Sequence, residues 1–368
     1  MVKNIPHPSF FIDPQLTDII TNCAAEAEKT RKLVPDQLSL IYDQKWFNLF
    51  VPERYGGLGL SLPEALKKEE CLAWADGSTG WTVTLCSGAN WFIGFLQPEI
   101  TDLIFNNNKV CLAGSGRASG VARIIDDEFE ISGYWHYATG APHATAFTAN
   151  CIIEREGVVM KNEHGTPVVY SFIFLRDEVI IHEDWNCIGM VATASHSFEV
   201  KELRVNKNRR FLIDANHSEL NDLVYQYPFL QFAEATLAVN YSGMAFRYLD
   251  LFEAVIKART GNSNYSLEMI HCQAKQLEEA KKQLKEIRQL FYAVVDISWE
   301  EYDRNHLFGV NRLEEVSRAS KELAATSIRI VDELYPFSGL GAANPDSGMN
   351  LVWRNLHTAS QHPLLLSF

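Results

Sequence analysis

Two stretches, Gly133-Tyr-Trp135-His-Tyr-Ala-Thr139-Gly140 and Trp185-Asn-Cys-Ile-Gly189-Met190-Val-Ala-Thr193-Ala-Ser195-His196, decide how this chain reads. They bracket much of a β-branched, alternating region from Val110 to about Val205. Val168-Val-Tyr-Ser-Phe-Ile-Phe174 and Phe198-Glu-Val-Lys-Glu-Leu-Arg-Val205 are its clearest predicted strands, and Asn162-Glu-His-Gly165 is one of its turns. Each cluster sets a flat apolar side chain beside a short hydroxyl and backbone amides. An isoalloxazine ring needs that combination: area to stack on and donors along its polar edge. The two clusters therefore predict a flavin site.

On either side the pattern is helical. From about Thr17 to Asn108 the apolar spacing predicts helices around Ala24 to Leu33, Leu62 to Trp74 and Trp81 to Leu96, broken at Gly56-Gly57 and Gly77. From Leu220 onward it predicts long helices over Phe229 to Ala258, Leu267 to Trp299 and Leu313 to Leu334, closed by a short one near Asn350 to His362. Three domains follow: N-terminal helices (1–108), a middle β domain (109–206) and a C-terminal helical bundle (207–368).

Composition excludes several classes. A formal net charge of −13 repels phosphates, which argues against nucleic acid or an anionic membrane as partner. The seven cysteines contain no C-x-x-C pair, so neither a disulfide framework nor a zinc site is expected. Glu268-Met-Ile-His271 stands alone, without the second copy that a di-iron bundle requires, and no metal is expected. Gly77 to Pro98, the longest uncharged run, is broken by Thr82, Thr84, Ser87 and Asn90 and reads as buried helix rather than a membrane span. The first thirty residues lack a basic region followed by an apolar one, which predicts no signal peptide and a cytoplasmic location. Gly114-Ser115-Gly116-Arg-Ala-Ser-Gly120 lacks the lysine and following helix of a phosphate loop.

Phe50-Val-Pro52-Glu-Arg-Tyr55-Gly56-Gly57-Leu-Gly59, Ala75-Asp-Gly-Ser-Thr-Gly80-Trp81 and the two opening clusters follow one another as in a known family. In that order they resemble the acyl-CoA dehydrogenase superfamily over nearly the whole chain. The resemblance implies an α+β multidomain fold: an N-terminal helical domain, a middle antiparallel β domain and a C-terminal four-helix bundle. It also implies that Trp135, Thr139, Gly140, Met190, Thr193 and Ser195 contact the flavin, that Ser115 and Trp81 face the substrate, and that the protein is a homotetramer. Arg259-Thr-Gly261 keeps an Arg and a Gly of the element by which many dehydrogenases grip the FAD pyrophosphate but lacks its Phe. FAD, FMN and a transiently bound reduced flavin all stay open.

The reaction turns on the group opposite the flavin. Dehydrogenases of this superfamily use a Glu, in many members from the segment that here reads Leu334 to Asn350, which contains none. Trp353-Arg354-Asn355-Leu-His357-Thr-Ala-Ser-Gln-His362 instead resembles the ending of the flavin-dependent monooxygenase branch. That makes His362 the expected acid–base residue, because an imidazole can exchange protons near neutrality. Pro363 disfavours helix at His362, which suggests a helix C-terminus whose dipole favours the protonated ring. Glu234, on the first bundle helix, is the alternative base and would carry acyl thioester dehydrogenation. The favoured expectation is monooxygenation of a small organic substrate with a separate flavin reductase as partner. An electron-transfer flavoprotein would serve the dehydrogenase reading, and a non-catalytic oligomeric binding protein is the third.

Overall fold

The computed structural model describes residues 5–107 and 109–366. Among these residues, α1 (Pro14–Thr30), α2 (Pro35–Asp43), α3 (Leu62–Ala75), α4 (Gly77–Asn90) and α5 (Pro98–Phe105) precede the strands. Their starts are set locally. Asp13 accepts from the Gln15 amide ahead of Pro14, and the Glu64 carboxylate reaches back to the Ser61 amide at 3.0 Å. Asp76 stops α3 and caps α4 by accepting from the Thr79 amide at 2.8 Å.

Strands β1 (Leu112–Ile125), β2 (Glu128–Ala138), β3 (Ala146–Arg155), β4 (Val158–Val159), β5 (Val169–Leu175), β6 (Ile180–His182), β7 (His196–Asn206) and β8 (Arg210–Phe211) form one sheet in the order β6-β7-β2-β1-β3-β5-β8, with β4 paired to β3. The sheet is mixed rather than wholly antiparallel. After β2 the chain crosses over through Thr139 to Ala144 and re-enters on the far side of β1, so β1 and β3 run parallel. All other pairs are antiparallel.

The bundle comprises α6 (Phe229–Arg259), α7 (Leu267–Asn305), α8 (Arg312–Ser338) and α9 (Gly348–Ala359), as the helical periodicity predicted. Ser266 and Ser347 cap the starts of α7 and α9. The sheet keeps its own apolar core, whereas the helices before and after it share a second one. Within that shared core the Glu70 carboxylate of α3 accepts from Arg288 Nε at 2.8 Å, Tyr292 Oη at 2.8 Å and Ser242 Oγ at 2.5 Å. Arg288 Nη1 also donates to the Pro6 carbonyl at 2.9 Å. Helices from both ends of the sequence thus close around one buried ion pair. No described helix is long and apolar enough to cross a membrane.

Candidate active site

The two opening clusters come together in space. Thr139 Oγ1 and Ser195 Oγ lie 2.9 Å apart, Ser195 Oγ and Thr193 Oγ1 lie 2.7 Å apart, and Thr193 Oγ1 donates to the Met190 carbonyl at 2.8 Å. A hydroxyl carries one proton, so Thr193's commitment to Met190 makes Ser195 the donor to Thr193 and Thr139 the donor to Ser195. All three are buried. Their protons tie the loop after β2 to the loop before β7, a bond reinforced by the Gly140 amide donating to the Thr193 carbonyl at 2.9 Å. In this structure the three hydroxyls donate to one another and to the Met190 carbonyl.

Trp135 also departs from expectation. Its ring has 0 % exposure, stacks on Phe198 at 5.1 Å and donates from Nε1 to the Asn150 carbonyl. Gly120 and Gly133 leave the room it fills; a Cβ on Gly120 would stand 2.1 Å from the indole. The outward ring is Tyr137. Between Trp135 and Ala138, β2 carries one residue more than β7, and this bulge holds Tyr137 at φ +67° and 66 % exposed. Trp185 packs against it edge-on at 6.1 Å. Strand alternation puts residues 135 and 137 on one face, so only the bulge, which the sequence does not announce, separates them.

The second loop is braced from the bundle. Met190 and Ala194 are left-handed, at φ +53° and +45°. The Met190 carbonyl also accepts from Trp185 Nε1 at 2.9 Å, and its amide donates to Asn355 Oδ1 of α9 at 2.6 Å. Gly189 is required there, because a Cβ would lie 2.0 Å from the Arg354 carbonyl oxygen. Arg354 itself pairs with Glu28 of α1 and donates to the Ile188 carbonyl. Asn355, which the sequence marked only as part of the Trp353 to His362 ending, therefore joins Arg354 in linking this loop to the last helix.

Beyond α9, His362 lies outside the helix and its ring meets the Trp81 edge at 5.9 Å. Nδ1 is buried with no partner, and burial pushes the imidazole down to about 4. The ring is neutral at pH 7. The expected preference of a helix end for the protonated form is outweighed by desolvation. His357 instead stacks on Trp353 and pairs with Asp332. Glu234 is 2 % exposed, and its Oε1 stands 3.4 Å from Lys321 Nζ of α8, so this carboxylate already has a cation partner.

Ser115 sits half-buried where β1 bulges: β1 advances from Ser115 to Gly120 while β3 advances only from Ala149 to Cys151. The bulge so formed is exposed at Gly116, where an added Cβ meets nothing within 4 Å. Trp81 is buried between His362 and Tyr241. Arg259 donates to the Phe337 and Ser338 carbonyls at 2.9 and 2.8 Å and caps α8, which occupies the guanidinium suggested for a pyrophosphate. Among the described residues no His, Cys, Asp and Glu group is arranged to hold a metal. What the arrangement offers is an outward aromatic face at Tyr137 and Trp185, an open glycine loop, and a neutral imidazole with an unused nitrogen. These fit a planar heterocycle bound by stacking and by backbone groups.

Residues 235–366 match the family described as acyl-CoA dehydrogenase, C-terminal domain. Over 342 residues the chain is 22% identical to indole-3-acetate monooxygenase of Pseudomonas putida, covering 92% of this chain and 86% of that protein. It is 25% identical over 359 residues to HsaA of Rhodococcus jostii, the oxygenase subunit of a flavin-dependent monooxygenase, covering 92% and 90%. Among solved structures, 3-HSA hydroxylase from Rhodococcus sp. RHA1 superposes with a TM-score of 0.86 at 19% identity, covering 96% of this chain and 91% of that one. The fold is that of the acyl-CoA dehydrogenases, and the resemblance to the superfamily and its monooxygenase branch is borne out.

Proposed function

We propose that this chain of acyl-CoA dehydrogenase-like fold is the oxygenase component of a two-component flavin-dependent monooxygenase. The reaction is RH + O2 + reduced flavin → ROH + H2O + oxidised flavin, with reduced flavin delivered by a separate reductase. The flavin supplies the electrons and activates O2. The observation that carries the reading is His362, a neutral imidazole whose buried Nδ1 has no partner, in a chain with no Glu between Leu334 and Asn350.

The protein's own groups divide the work. Tyr137 and Trp185 give the ring a face, and the loops held by the hydroxyl chain and by Asn355 present their backbone to its edge. Ser115 and the loop after it border the reacting end of the substrate. His362 accepts the substrate's proton at Nδ1, while Trp81 keeps bulk water from that nitrogen. Glu234, paired with Lys321, stays outside the chemistry. The three domains of 1–108, 109–206 and 207–368, a homotetrameric assembly and a cytoplasmic location belong to the same proposal. With Arg259 committed to α8, a loosely held reduced FMN or FAD suits the chain better than a resident dinucleotide.

The test is anaerobic titration of the purified protein with reduced FMN and reduced FAD, followed by admission of air with indole-3-acetate and simple phenols as probe substrates. The proposal expects colourless protein, micromolar or tighter affinity for the reduced form, and a hydroxylated product. Yellow protein with tightly bound FAD that acyl thioesters reduce would put the dehydrogenase in its place, and no affinity for either flavin would leave the non-catalytic reading.

A further inference from the structure

We propose that Tyr241 is a positioning residue for His362, acting through the main-chain carbonyl of Ala359; this rests on the reading of His362 as the proton-transfer group. A catalytic imidazole is ordinarily oriented by a hydrogen bond at the nitrogen not engaged in chemistry. At Nδ1, the nitrogen given the substrate's proton, His362 has no protein partner, and its visible ring contact is the edge of Trp81. The hydrogen bond at its backbone amide is the contact by which the protein can set its position.

That backbone hangs from one atom. The last carbonyls of a helix have no partner within it, and Ala359 ends α9. Its oxygen accepts from the His362 amide at 3.0 Å and from Tyr241 Oη at 2.5 Å. Pro363 then removes the next donor. Tyr241 is buried on α6, and its ring lies 6.5 Å from that of Trp81, which in turn meets His362. One side chain thus fixes the carbonyl that sets the His362 backbone and also supports the indole against which the imidazole rests. The link at the start of α9's last two turns, from Asn355 to the Met190 amide, holds the same helix against the loop before β7. His362 is therefore placed relative to both walls of the site by side-chain bonds to main chain.

The environment of His362 is the readout. Only burial displaces its titration; no charged side chain acts on it, and Tyr241 of α6 is the titratable group packed nearby, its hydroxyl pushed far up by its own burial. In the flavin-free protein, the His362 imidazole is followed by NMR titration, assigned by its disappearance in His362→Gln. Tyr241→Phe keeps the ring and removes the bond. The expected result is a midpoint raised by about one unit from about 4 toward the ordinary 6.5 as water reaches Nδ1, with the His362 amide exchanging tenfold faster or more. Tyr248→Phe is the control, because Tyr248 Oη pairs with Ser338 Oγ at 2.8 Å on the same helix and does not touch Ala359. An unmoved midpoint in Tyr241→Phe, or an equal rise in both variants, overturns the proposal. If Tyr241→Phe does not fold, fluorinated tyrosine at 241, a more acidic phenol and so a stronger donor, tightens the same bond with little change of ring shape, and a midpoint held at or below about 4 with slower exchange of the His362 amide is expected; a raised midpoint overturns the proposal. Should His362→Gln hydroxylate at the normal rate, the role of His362 falls, whereas the titration still decides whether Tyr241 positions it.

Discussion

Exchanging Trp135 and Tyr137 separately distinguishes a ring that holds the sheet from one that faces outward. Tyr137→Ala deletes an aromatic that is 66 % exposed, so its effect on stability should stay within about 0.5 kcal/mol. If a flat cofactor covers roughly 80 Å² of that ring, its loss at about 25 cal/mol/Å² weakens binding by about 2 kcal/mol, or about thirty-fold in Kd. Trp135→Ala instead opens a cavity at a fully buried site and should cost about 3–5 kcal/mol of stability. Trp135→Phe is gentler and allows a binding measurement. The assay pairs urea unfolding with anaerobic titration of reduced flavin. Full affinity in Tyr137→Ala together with a thirty-fold loss in a stably folded Trp135→Phe would refute the assignment of the outward face.

Ser195→Ala removes the middle of the hydroxyl chain and leaves Thr139 without its acceptor, so it should destabilise by about 1–3 kcal/mol in urea, more than Thr139→Val, which removes only the first donor. His362→Gln should slow hydroxylation by roughly 10²–10⁴ and leave reduced-flavin affinity nearly intact, measured by product formation and titration. Because the His362 pKa is lowered on folding, the unfolded chain binds its proton first as pH falls. Wild type should therefore lose about 2–3 kcal/mol through this group between pH 6.5 and pH 4 that His362→Gln retains, read from unfolding at each pH. Burial raises Glu69 well above the usual carboxylate range, so its contribution fades as pH rises past 4.5; Glu69→Gln should gain on wild type in melting temperature between pH 5 and pH 8.

The features that repeat were legible in the sequence. Apolar spacing located the bundle helices to within a few residues at most ends, and the beta-branched run located the sheet, because both follow the period of the backbone. Features that depend on a single local irregularity were not. The bulge at Tyr137 reverses which aromatic faces out, and no turn residue marks it. Asn355 and Tyr241 act on main-chain atoms 165 and 118 residues away, a relation that periodicity cannot carry. At His362 the proline correctly placed the residue beyond the helix, yet its protonation follows from the burial that Trp81 and α6 impose, which depends on packing. The hydroxyls of Thr139, Thr193 and Ser195 stand out in the sequence, but that they bond to one another and to the Met190 carbonyl depends on how two distant loops pack, which no local pattern carries.

The ion pair of Glu70 and Arg288 has a consequence for inheritance and recombination. A gene fusion joining the first helices of one relative to the bundle of another brings together a carboxylate and a guanidinium chosen independently. Breaking a buried pair of this kind costs about 3–5 kcal/mol, a large share of what keeps a protein folded. Glu70, Ser242, Arg288 and Tyr292 must therefore travel as a set, although 222 residues separate the first from the last. Trimming the chain past Pro6 strips two carbonyl acceptors from the same guanidinium. A truncation that looks harmless at the sequence terminus is thus felt at the centre of the molecule.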